Sequence, residues 1–139
     1  MKMTNLTMVS VMNILDSYSN KRLPQKISFT ITKNLLKIRK EYEAYEIELK
    51  KIFDEYSNYF ILDSNGNQAT NNYGVPMVSE DKNEEYTHKI NELLNLEIDM
   101  DFYQIDLDCF DYDDRNGIYD SLSVNEIATL QSMICKSDE

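Results

Sequence analysis

The chain has 139 residues, of which 42% are apolar and 11% aromatic, which predicts one domain, 1–139, with a real core and excludes a disordered chain. Its net charge of −11 argues against a nucleic-acid or anionic-membrane binder and favours cations and basic protein surfaces as partners. The charge is polarised: residues 1–51 carry ten Lys/Arg against five acids, a net of +5, and residues 52–139 carry four against twenty, a net of −16.

Met8, Val11, Met12, Leu15 and Tyr18 recur at helical spacing and predict a first helix over 7–19. "SNKRLP" breaks it, and Pro24 can start the next. Ile31, Leu35, Ile38, Tyr42, Tyr45, Leu49, Ile52 and Tyr56 then alternate four- and three-residue steps, a heptad stripe with no Gly or Pro from 25 to 65. One long helix over 28–57 follows. Its stripe needs cover, either from helices of the same chain or from a second copy in a homodimer. Its charges fall in blocks: Lys33, Lys37, Arg39 and Lys40, then Glu41, Glu43, Glu46 and Glu48.

"NYFILDSNGNQAT" reads as a strand, a turn at Asn65-Gly66 and a weak return strand. Irregular chain continues around Gly74 and Pro76. Ser79 is placed to cap a helix over 80–95 with Glu80 and Asp81 in its first turn. "LEIDMDF" alternates strictly, with Leu96, Ile98, Met100 and Phe102 on one face and Glu97, Asp99 and Asp101 on the other, a half-buried strand. "LSVNEI" carries a capping box, Ser123 with Glu126, that opens a last helix over 124–135. The fold class is α+β: a long central helix packed with shorter helices, plus a small antiparallel sheet that pairs 58–70 with 96–105.

"DLDCFDYDDRNG", 106–117, invites a calcium reading, because calcium loops place oxygen ligands at alternate positions before a glycine. The register fails. With Gly117 as the loop glycine, the first ligand is Tyr112 and the closing glutamate is Ser123. "LDSNGN" at 62–67 fails in the same way. His88 is the one histidine, flanked at helical spacing by Glu84 and Glu92, and reads as solvated. Cys109 and Cys135 form neither a disulfide framework nor a metal spacing and read as reduced thiols. No phosphate loop, nucleophile-base pair or metal set stands out, so no catalytic residue, metal or cofactor is assigned.

"RLPQKISFTITKNLLKI" (22–38), "LLNLEIDMDFYQI" (93–105) and "LSVNEIATLQSMI" (122–134) together resemble a family of small uncharacterised proteins encoded by phages and prophages of low-GC Gram-positive bacteria. The resemblance implies a fold and a setting in the host cell cytoplasm. It carries no catalytic motif.

The functional expectation is a non-enzymatic, acidic protein-binding protein. Its partner would be a basic host protein such as a nucleic-acid-binding defence effector, inhibited in the manner of anti-CRISPR or anti-restriction proteins. Glu97, Asp99, Asp101, Asp106, Asp108, Asp111, Asp113 and Asp114 would imitate a row of phosphates, since spaced carboxylates steer basic surfaces. Tyr103, Phe110, Tyr112 and Tyr119 would add contact area. The alternative is a virion structural or assembly component acting through self-association, with the heptad helix 28–57 as its dimer seam. A carboxylate-based metal enzyme is the third reading.

Overall fold

A computed structural model describes residues 1–113 and 117–134. Its longest element is α2 (Gln25–Tyr56), 32 residues and about 48 Å at 1.5 Å per residue. Pro24 occupies the N-cap position with extended backbone, and no residue inside the helix lacks an amide or a β-carbon to interrupt it. α1 (Asn5–Tyr18) begins at Thr4, whose hydroxyl accepts from the Thr7 amide at 3.2 Å. α3 (Glu80–Leu94) and α4 (Val124–Ile134) complete the helices among the described residues. The capping box forms as expected: Glu126 N donates to Ser123 Oγ at 3.1 Å, and Ser123 N donates to Glu126 Oε1 at 3.2 Å. Ser79 holds the N-cap position of α3 but makes no side-chain cap bond to its backbone.

The small antiparallel sheet has a different make-up from the expected one. β1 (Lys2–Thr4) pairs with β2 (Glu97–Asp99) in the register Lys2↔Asp99, Met3↔Ile98 and Thr4↔Glu97. The 58–70 segment takes no part in it. The reason is the position of Asn5, where the end of α3 meets the start of α1. The Asn5 amide donates to Leu96 O at 3.0 Å, and its side-chain Nδ2 donates to Leu93 O at 2.8 Å. Orphan donors of one helix start thus satisfy carbonyls at and just beyond another helix end. That joint delivers residues 2–4 directly alongside 97–99.

Two apolar clusters lie along α2. The larger gathers Met8, Leu15, Ile27, Ile31, Ile38, Leu130 and Ile134, with Met3 and Met100 from the sheet region. The smaller centres on Tyr56, Val78 and Tyr86, with Phe53, Phe60 and Ile90 packed against it. α3 runs antiparallel to the end of α2: Tyr86 packs on Tyr56 at 5.2 Å between ring centroids, and Lys89 pairs with Glu55 at 2.6 Å. The heptad stripe is therefore covered by its own chain at both ends. Ile31, Leu35, Ile38 and Tyr56 are buried, whereas Tyr42, Tyr45, Leu49 and Ile52 between them are half-buried.

The expected turn at Asn65-Gly66 forms, with Leu62 and Gln68 in an antiparallel bridge across it, and residues 60–78 add a third short leg. Ile61 N donates to Met77 O, Met77 N to Ala69 O, and Ala69 N to Ile61 O, at 2.9–3.1 Å, so the legs close on one another in a ring. The two turns between them are built alike. Asp63 Oδ1 accepts from Asn65 N and Asn67 N, and Asn71 Oδ1 accepts from Tyr73 N and Val75 N. Each turn then needs a left-handed residue, supplied by Gly66 (φ 81°) and Gly74 (φ 76°).

Candidate functional site: an acidic ledge beside a basic groove

The alternation read from "LEIDMDF" holds from Glu97 to Phe102, beyond the three hydrogen-bonded residues of β2, but not at Leu96, expected on the inward face and in fact 53% exposed. Ile98 and Phe102 pack on the larger cluster and Met100 is buried, so Glu97, Asp99 and Asp101 are turned outward in one exposed row. Pleated backbone spaces such side chains by about 7 Å. The Met1 ammonium lies 3.2 Å from Asp99 Oδ1 and 3.7 Å from Asp101 Oδ1. These contacts are solvent-exposed and contribute little to stability. Glu97 has no ion pair among the described residues.

Immediately beyond the ledge the surface changes sign. Asn34, fully buried on α2, clamps the backbone of residue 103 from both sides: Tyr103 N donates to Asn34 Oδ1 at 2.7 Å, and Asn34 Nδ2 donates to Tyr103 O at 3.0 Å. The Tyr103 ring is thereby held against two lysines, with Lys33 Nζ 4.1 Å and Lys37 Nζ 4.8 Å from its centroid. Such cation–π contacts contribute about 0.5–1 kcal/mol each at exposed sites. Lys37 Nζ also donates to the Asp101 carbonyl. Lys33, Leu36, Lys37, Arg39, Lys40, Glu43 and Tyr103 line an open groove of about 650 Å³. Arg39 is paired with Asp16 at 2.9 Å. Lys40 has no ion pair among the described residues.

The expected contact aromatics fall into two groups. Tyr103 is exposed, as a contact residue should be. Phe110 and Tyr112 are half-buried and pack on the larger cluster. Tyr112 donates its hydroxyl to Asp120 O at 2.7 Å and meets Tyr119 edge-on at 5.6 Å. Part of their area is therefore spent inside the chain, which leaves less of it for the partner contact expected of them. After the 3-10 turn at Leu107–Phe110 the exposed acids Asp111 and Asp113 alternate with the ring of Tyr112, and the rings take the apolar side. Asp106, Asp108, Asp111 and Asp113 are exposed. Asp114 lies outside the described residues, as does Cys135.

The segment is also tied down. Ile105 N donates to Ile134 O at 2.8 Å. Asp120 receives the Arg22 amide at 2.7 Å and Arg22 Nη2 at 3.0 Å, and Asp120 N returns a bond to Arg22 O at 2.7 Å. The Arg22 backbone N–H, then its guanidinium, holds the Asp120 carboxyl below the usual carboxylate range. The Ser123 backbone N–H and Lys21, 3.3 Å away, do the same for Glu126. The α1–α2 connection and the start of α4 are thus stapled together.

Asn34, Arg22, Asp120 and the lysine groove were not singled out from sequence. Asn34 had a readable signal: it falls at helical spacing on the apolar face of Ile27, Ile31, Leu35 and Ile38. His88 is solvent-exposed with Glu92 at 3.9 Å. Among the described residues, no group of three or more His, Cys, Asp or Glu side chains is placed to share a metal ion, and no helix is long and apolar enough to cross a membrane. No known family, curated protein or solved structure matches the chain.

Proposed function

We propose that the chain is a non-enzymatic protein-binding protein whose acidic ledge docks on a basic surface of another protein. The observation that supports this reading is the row Glu97, Asp99 and Asp101, turned outward on backbone whose alternate side chains are anchored in the core. Pre-set carboxylates at regular spacing lose little freedom on binding, and they steer a basic partner toward themselves. Asp108 and Asp111, later in the chain, are further exposed carboxylates.

The resemblance to phage-encoded proteins gives the reading its finer form. The partner is then a basic, nucleic-acid-binding host defence protein in the host cytoplasm, and the ledge takes the place of phosphates in its groove. Capture of host proteins on the immobilised chain, at low and at high salt, tests this. Basic proteins retained at low salt should be released at high salt, and lost when Asp99→Asn and Asp101→Asn neutralise the ledge. Retention that ignores both changes overturns the reading.

A further inference from the structure

The ledge and the groove are not separate features. Lys37, in the groove, is bonded to the backbone of Asp101, in the ledge, and Tyr103, two residues on, is the groove's wall. Negative and positive surfaces therefore lie side by side on one face. Two apolar side chains are exposed on this face: Tyr103, 47% exposed, where the ledge meets the lysines, and Leu36, 58% exposed, on the far side of Lys33 and Lys40. Exposed aromatic and aliphatic area beside charges is what a protein contact buries.

A partner of a single sign that covered this face would set like charges against one half of it, and like-charge juxtaposition in an interface costs several kcal/mol. A surface that matches ledge and groove together carries both signs in the opposite order, whereas a basic partner reaches the ledge alone. A second copy of this chain, turned about a two-fold axis, supplies that by construction, because an isologous contact sets each patch against its complement twice. We propose that two copies pair in this way, Asp99 and Asp101 of each facing Lys37 and Lys40 of the other, with Tyr103 near the axis and Leu36 toward the edge of the contact. The net charge of −11 on each copy does not prevent this. At physiological ionic strength charges are screened beyond about 8 Å, so pairs in contact outweigh the distant excess.

The pairing shares the ledge with the docking proposed above but does not rest on it. It adds a regulation: the dimer hides the ledge, and a basic partner must displace the second copy to reach it. The pairing also leaves the heptad stripe of α2 in place, since Leu36 and Lys40 lie on a different face of that helix.

Sedimentation velocity of the full chain is the test. The wild type should sediment as a dimer at moderate salt and as a monomer at high salt. Lys37→Glu with Lys40→Glu should be monomeric, as should Asp99→Lys with Asp101→Lys, with circular dichroism confirming that both remain helical. Mixed together, the two variants should recover the dimer, because every reversed charge again meets its opposite. A wild type that stays monomeric, variants that keep the dimer, or a mixture that stays monomeric would each overturn the pairing. Salt-sensitive capture of basic proteins by a monomeric wild type would leave the docking proposal standing alone.

Discussion

Along its N-terminal half α2 is covered by aliphatic side chains, Ile27, Ile31, Leu35 and Ile38 meeting Met8, Leu15, Leu130 and Ile134, whereas at its C-terminal end Tyr56 meets the rings of Tyr86 and Tyr59, and Phe60 packs on Tyr86. The two ends also differ in where their parts come from. The aliphatic cluster draws on the first and last described elements, so it closes only when distant segments meet. The aromatic cluster draws on residues 52–90 and is local in sequence. A third difference is chemical. The Tyr86 hydroxyl is held by Pro76 O at 2.7 Å, so the aromatic end depends on a single polar contact as well as on area. One helix is thus stabilised by two units with different sensitivities, joined by a half-buried waist.

Substitutions at each end would expose the difference. Tyr86→Ala should cost about 4 kcal/mol, and amide exchange should accelerate mainly over 58–94 if the aromatic end opens by itself. Uniform acceleration across α1 and α4 would merge the two units into one. Ile31→Ala should cost about 3 kcal/mol, read as a lower urea midpoint. Its loss should be global, because it loosens contacts that reach both ends of the chain. Asn34→Ala should cost about 2 kcal/mol by leaving the backbone of residue 103 without its partners. It should also free the Tyr103 ring, seen as sharpening of its proton resonances. Tyr86→Phe keeps the ring and loses one hydrogen bond, for about 1 kcal/mol by thermal melting.

The smallest effects come with pH. Burial pushes the Tyr86 hydroxyl up to about 12 from an ordinary value of 10.0. The unfolded chain ionises first, so this contribution is whole below pH 10, is lost as pH rises toward 12, and vanishes in Tyr86→Phe. Asp120 and Glu126 are held below their ordinary values. Their contribution is present above those values and fades as pH falls through the lowered ones, and Asp120→Asn should flatten part of the acid limb of a melting curve.

Much of the architecture was readable because it is periodic or local. The heptad stripe predicted α2 to within three residues at its start, the capping box marked the start of α4, and period-two alternation placed the ledge acids outward. What could not be read depends on long-range meetings. β1 is three residues long, too short for a pattern, and its partner lies more than ninety positions away. The groove was visible only as Lys33, Lys37 and Lys40 on one helix face, because its wall, Tyr103, arrives from another part of the chain. The paired turns at 63–67 and 71–75 share an Asx residue and a glycine three positions later, but too few letters to register as a repeat. That Phe110 and Tyr112 pack on the core was not readable for a different reason: alternation separates acids from rings but does not say which side meets the core.

The pairing of Lys2 with Asp99 has a consequence for biosynthesis. A ribosome adds roughly 5–20 residues per second, so β1 emerges many seconds before the strand it needs. Leu130 and Ile134, which close over Ile31 and Ile38, come later still. The aromatic end of α2 has all its parts once residue 90 has been made. The nascent chain therefore has every part of the aromatic end of its long helix before those of the aliphatic end, whose apolar face has only α1 to cover it until Met100, Leu130 and Ile134 are made.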